Sequence, residues 1–192
     1  MPARGRSADP RAERVRARLR DAAFALAHER PVGRITVGDL VTRAQVSRQV
    51  FYRHFRDRDD AVAAAFSEAF AGVAGPGGPD ARGHIRILFD FAAEHQAFCH
   101  NIVGSAVQQH VVTEYRDALT APCRQIAEQG LTVLRTVAAL PAEPVTRFLV
   151  GGLTEVLRSW MDAPDTTGLP ARVSTALDTV DALLNLKGPA DG

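Results

Sequence analysis

The run from Ile35 to Phe66, ITVGDLVTRAQVSRQVFYRHFRDRDDAVAAAF, constrains the fold more than any other part of the chain. It compresses two short helices, a tight turn and the start of a third helix into one uninterrupted segment. Thr36 stands three residues before Asp39, the spacing of a capping box, in which hydroxyl and carboxylate each satisfy an orphan amide. Leu40, Val41 and Ala44 then supply one apolar face to a helix of about two turns. Val46 fills the turn, and Ser47 is placed to cap the next helix. Phe51 and Phe55, at i and i+4, share the buried edge of that helix. Arg48, Gln49, Tyr52 and Arg53 point the other way. Long forked and phenolic donors on the outer face of a short helix suit base edges and phosphates in a major groove. The segment therefore predicts a helix-turn-helix with residues 47–55 as its recognition helix.

The run VSRQVFYRHFRDRDD resembles the signature of the TetR-type family of bacterial transcriptional regulators, a VS-x-x-x-FY-x-HF pattern followed by a basic residue and an acidic helix start. The strong part of the resemblance covers about a quarter of the chain; the helical layout of the remainder follows it weakly. It implies an all-α protein with two parts. A three-helix head, residues 1–56, binds DNA, and a helical bundle, residues 57–192, carries regulation and dimerisation, the two joined through a fourth helix. It also implies that Arg58 holds the family's basic, phosphate-contacting position. One residue departs from the pattern: the family has glycine where this chain has Gln45. A left-handed backbone there would cost a glutamine roughly 1 kcal/mol that glycine avoids.

Charge agrees with a polyanion at one end only. Residues 1–60 hold 14 arginines against 8 acids, whereas residues 61–192 hold 9 basic residues against 14 acids. Lys187 is the only lysine, which reads as nucleotide bias. No apolar run approaches membrane-spanning length and the arginine-rich start has no export signal, so a cytoplasmic protein is expected. Two cysteines, Cys99 and Cys123, fit a reducing compartment rather than a disulfide framework.

Asp9-Pro10 opens a first helix with the stripe Val15, Leu19, Ala22 and Leu26, and Arg4 and Arg6 before it are available to DNA. Asp57 is a plausible cap for helix four, which runs through Phe66 and Phe70 until Gly75-Pro76-Gly77-Gly78-Pro79, read as a domain boundary. From Asp80 onward only helices are expected. Pro122 predicts a kink or break in the segment that starts at Ser105. The last two helices open at Pro144 and Pro170. Val145, Leu149, Gly152, Leu153, Val156 and Trp160 on one, with Val173, Leu177, Val180 and Leu184 on the other, make broad apolar faces. They predict a four-helix dimer interface, as the resemblance also implies. Gly151-Gly152 within that helix suggests close approach of another helix.

Candidate DNA contacts are Thr36, Gln45, Ser47, Arg48, Gln49, Tyr52, His54 and Arg58, with Arg48 and Gln49 reading bases. Phe66, Phe70, Phe89, Phe98, Ile102, Tyr115 and Phe148 are candidates to line an effector pocket, although each singly reads as ordinary core. His95, Cys99 and His100 lack a recognisable zinc spacing, so no metal and no cofactor are expected. Cysteine, histidine and aspartate occur without a catalytic motif, so no enzyme is expected. The function expected is a dimeric repressor that binds a palindromic operator and is released by a small hydrophobic effector. Two rivals stand beside it: a DNA-binding regulator without an effector, and a helical small-molecule-binding protein with a vestigial DNA head.

Overall fold

The computed structural model describes residues 10–75, 80–134, 141–163 and 168–184, and within them all regular structure is helical. Arg4, Arg6, Asp9, residues 76–79 of the glycine-proline linker and Lys187 lie outside that range.

Helix α1 (Pro10–Glu29) buries Leu19, Ala22, Ala23, Leu26 and Ala27. A single 3-10 turn, Val32–Arg34, leads into α2 (Val37–Ala44). There the expected capping box forms: the Thr36 hydroxyl accepts from the Asp39 amide at 3.1 Å, and the Asp39 carboxylate accepts from the Thr36 amide at 2.8 Å. Helix α3 is regular only over Arg48–Phe51, shorter than the 47–55 expected, with the Ser47 hydroxyl accepting from Val50 at 3.3 Å. The chain continues in tight turns, His54 and Phe55 both donating to the Phe51 carbonyl, so Phe51 and Phe55 still reach the core. Helix α4 (Arg58–Ala71) begins at its expected cap, where the Asp57 carboxylate accepts from the Asp60 amide at 2.9 Å.

The body consists of α5 (Ala81–Glu94), α6 (Gln96–Asn101), α7 (Ala106–Leu134), α8 (Ala142–Asp162) and α9 (Leu169–Leu183). Asp80 caps α5 through the Gly83 amide, and proline stands in the first turn of α9. Helix α7 passes through Pro122 without ending, so of the kink or break expected there the break does not occur. Leu119, Cys123, Ile126 and Ala127, flanking the proline on both sides, are all buried, so both halves are held on the same core despite a missing backbone donor.

Helix α4 lies against α1 on one side and α7 on the other, and α6 also packs on α1. As a result one contiguous apolar cluster runs from Leu19 in α1 to Leu177 in α9. Head and body share that core, so packing does not separate residues 1–56 from 57–192.

Tyr115 of α7 sits at the centre, fully buried, its hydroxyl donating to the Leu88 carbonyl at 2.8 Å. Burial raises its pKa well above the ordinary value, so it stays neutral and a donor. Tyr115→Phe is expected to lower stability by about 1 kcal/mol, the net worth of one buried hydrogen bond whose acceptor keeps its helical partner. Chemical denaturation measures this; a loss above about 3 kcal/mol would mean that the hydroxyl holds more than Leu88.

Candidate nucleic-acid interface

The turn between α2 and α3 aims the recognition face. Gln45 ends α2 with φ 51° and ψ 50°, the one non-glycine residue with positive φ among those described. The missing glycine therefore leaves the left-handed backbone the resemblance implied, and a glutamine bears it. Two contacts fix it there. The Val46 amide donates to the Val41 carbonyl at 3.0 Å, and the Arg18 guanidinium of α1 donates to the carbonyls of Ala44 and Gln45. Orphan carbonyls at the end of α2 are thus satisfied from another helix, which holds the turn at one angle to α1.

Beyond the turn, Ser47, Arg48, Gln49 and Arg53 are exposed, and Tyr52 is 58% exposed beside Phe51. Thr36 and Gln45 are also exposed, so these side chains and the α3 start form one polar face. His54 is half-buried at its edge. Arg48 lies folded back along α2: a methyl group on Gly38 would meet its Nη2 at 3.3 Å. Its reach outward needs only a swing of its own arm.

Arg58 sits differently from that face. Its Nη1 donates to the carbonyls of Gly33 and Ile35 at 3.2 and 3.0 Å, and its Nε to Asp59 at 2.7 Å. The geometry makes it a brace between the 3-10 turn and the start of α4. Arg43 does not pair with Asp39 at i+4; it grips Glu29 of α1 with both carboxylate oxygens at 2.8–2.9 Å, while Arg30 takes Asp39 at 3.2 Å. The Thr36 amide and hydroxyl, then Arg30, hold the Asp39 carboxyl below its ordinary pKa, so the cap stays charged. Arg34 is exposed at the end of the 3-10 turn and was not singled out by spacing, because no periodic element contains it.

The candidate effector residues divide. Phe66, Phe70, Phe89, Phe98, Ile102 and Tyr115 converge from α4, α5, α6 and α7, each at most 1% exposed. Phe66 stacks on Phe70 and Phe98 with centroids 5.2 and 5.6 Å apart, and Tyr115 lies 4.5 Å from Phe70. These rings fill the space with one another. Phe148 is elsewhere, 70% exposed on the outer side of α8. Beside the ring cluster, Ser67 of α4 meets His110 of α7 at 2.9 Å and also Glu114. Serine and glutamate both meet Nε2 of His110, whereas a nucleophile-activating relay needs them on opposite ring nitrogens. Cys99 and Cys123 are buried, which pushes each thiol up to about 12 and leaves neither a ready nucleophile.

The candidate dimer residues also divide. Leu149, Leu153, Trp160, Val173 and Leu177 are buried within the chain itself. Val145, Val156, Val180 and Leu184 are half-buried, and Gly152 is exposed. Phe148, Gly151, Gly152 and Glu155 are exposed along one side of α8, and Leu183 is exposed on α9. Among the described residues, a Cβ on either glycine of the pair would meet nothing within 4 Å.

Residues 19–65 match the family model of bacterial regulatory proteins, tetR family. No curated protein matches the chain. Among solved structures, a TetR transcriptional regulator from Streptococcus agalactiae 2603V is 16% identical with a TM-score of 0.61, the match covering 88% of this chain and 95% of that one. A tetR-family transcriptional regulator from Streptomyces coelicolor is 21% identical at a TM-score of 0.58, covering 94% and 92%. A complex of SmeT with triclosan is 20% identical at 0.60, covering 88% and 91%. At such identities the likeness is one of fold.

Gln45 supplies the local test. Gln45→Gly removes a left-handed side chain but frees the unfolded chain, so the net gain in stability is expected to be at most ~1 kcal/mol. Should Gln45 touch DNA, the variant melts higher yet binds operator more weakly. A lower melting temperature with unchanged binding would show that the turn bears no strain and makes no contact.

Proposed function

For a TetR-type chain, with a tetR-family head on an all-α body, we propose the role of a dimeric cytoplasmic repressor that grips a palindromic operator. The observation that carries this reading is the exposed set Arg48 and Gln49 on α3 with Tyr52 and Arg53 in the turn that follows it. Arg48 and Gln49 lie in its first turn and read base edges, while Tyr52, Thr36 and Arg53 hold phosphates. Ser47, Gln45 and His54 border the same face, and Arg58 supports it from behind through Gly33 and Ile35. Duplex DNA and a second copy of the chain are the partners. The reaction chemistry of an enzyme has no part in the reading.

A small hydrophobic effector would act at the ring cluster between α4 and α7, where displacement of Phe66 or Phe70 moves α4 against α1. SmeT is described in complex with triclosan, and an apolar aromatic ligand of that kind suits a cluster of phenyl rings. The closeness of the rings favours a second reading, in which the chain regulates without an effector. A thermal-shift panel of hydrophobic compounds separates the two: stabilisation together with release of DNA supports the first.

Gel shift on DNA flanking the chain's own coding region tests operator binding. Arg48→Ala is expected to cost ~1–3 kcal/mol on the operator and little on random DNA. Arg53→Ala should weaken both alike and flatten the salt dependence by about one unit. Equal losses on both DNAs for Arg48→Ala would take it off the base-reading face.

Dimerisation is assigned to the outer face of α8 and α9, where Phe148, Leu183 and the uncovered glycine pair offer apolar surface and close approach. Phe148→Glu and Gly152→Glu are expected to yield helical monomers by light scattering. Leu153→Asp, by contrast, introduces a buried charge and is expected to unfold the body. Normal dimers from both surface variants would move the interface elsewhere.

A further inference from the structure

His28, near the end of α1, and His95, at the joint of α5 and α6, are 67 residues apart, yet their rings meet nitrogen to nitrogen: His28 Nε2 lies 3.1 Å from His95 Nδ1. The other nitrogen of His28 stands 2.8 Å from the Phe24 carbonyl. A carbonyl carries no proton, so Nδ1 of His28 is protonated, and in the neutral ring Nε2 keeps its lone pair. His95 then donates through Nδ1. Phe24 packs against both rings, with centroids 4.6 Å from His28 and 5.2 Å from His95, and Phe91 lies 4.4 Å from His95. The backbone beneath is fixed as well, since the Asn101 amide group donates to the carbonyls of Ala27 and His28.

We propose that His28 and His95 form a two-histidine site for a divalent first-row transition ion of the zinc, nickel or copper class, clipping the end of α1 to the α5–α6 joint. Two zinc–imidazole bonds of about 2.0–2.1 Å, opening between a right angle and the tetrahedral angle, hold their nitrogens roughly 2.9–3.4 Å apart. The observed 3.1 Å falls inside that interval. To admit the ion, His95 transfers its proton from Nδ1 to Nε2; both ligands are then neutral imidazoles and no proton is lost. The bond from His28 Nδ1 to Phe24 is the outer hydrogen bond that orients a metal-bound imidazole.

The site is an exchangeable clip, with water in its remaining positions. Among the described residues no three His, Cys, Asp or Glu side chains gather into a cage. Cys99, one turn beyond His95, is buried against the Ala92 carbonyl, and His100 turns toward Trp160, so the local trio is not the site. The proposal holds whether or not the chain binds an operator.

The test uses full-length, tag-free, metal-stripped protein titrated with zinc or nickel, with magnesium as control, by thermal shift and calorimetry. Zinc or nickel is expected to raise Tm and saturate at one ion per chain, and magnesium to do neither. His28→Gln and His95→Gln should each abolish the metal-induced shift. Comparing each variant with and without metal removes any effect of the substitution on folding. His110→Gln, which disables the separate His110–Glu114 pair, should leave the shift intact. No shift in the parent protein, a shift surviving in either His28→Gln or His95→Gln, or its loss in His110→Gln overturns the proposal.

Discussion

The small side chains along one face of α1 decide how closely the other helices can sit. Ala22, Ala23 and Ala27 alternate with Leu19 and Leu26 on the buried side, and all five are at most 5% exposed. Alanines there let α2, α4 and α6 approach the same helix. Larger residues would separate at least one of the three. Because α2 sets the turn and α4 sets the brace, the angle of the recognition face depends on a helix that carries none of its exposed face residues. Phe24, half-buried on the adjoining side, extends the contact to His28, His95 and Phe98.

Arginine is so frequent in the head that abundance says little about function. Internal partners sort it out. Arg18 closes α2, Arg30 and Arg43 tie α2 to α1 through Asp39 and Glu29, Arg20 reaches Glu68 of α4, and Arg58 grips the 3-10 turn. Each half-exposed pair is worth little alone in water. Together they hold one arrangement of short helices that have little apolar area of their own. Arg48 on α3 and Arg53 in the turn after it stand out because they are exposed and the contacts above do not engage them. The positive excess of residues 1–60 is therefore part scaffold and part exposed surface.

What could be read directly from the sequence was mostly local. The caps at Thr36, Ser47 and Asp57 depend on hydrogen bonds spanning three residues, so spacing alone specifies them. The left-handed turn at Gln45 came from the resemblance, since glutamine itself gives no sign of it. Long-range decisions were invisible. Arg58 has the right type and position for a phosphate contact, and only the fold reveals two carbonyls within its reach. Phe148 looks like its buried neighbours in a list of aromatics, yet it sits on the outer arc of α8. Helices α8 and α9 carry apolar residues on more than one face, and periodicity does not say which face the chain keeps for itself.

That last ambiguity has a physical resolution. Leu149, Leu153, Leu157 and Trp160 follow the inner stripe of α8, and their burial is complete before a partner arrives. The uncovered stripe is poorer in apolar area but richer in space, with two adjacent glycines and nothing above them. Glycine in a helix interior is unfavourable by roughly 1 kcal/mol against alanine. Among the described residues nothing compensates that loss, because none of them uses the room. An approaching helix does, since backbones without Cβ atoms can close to van der Waals contact over the pair. The strongest hydrophobic stripe thus builds the protomer, while the weaker, glycine-bearing one is suited to a second copy.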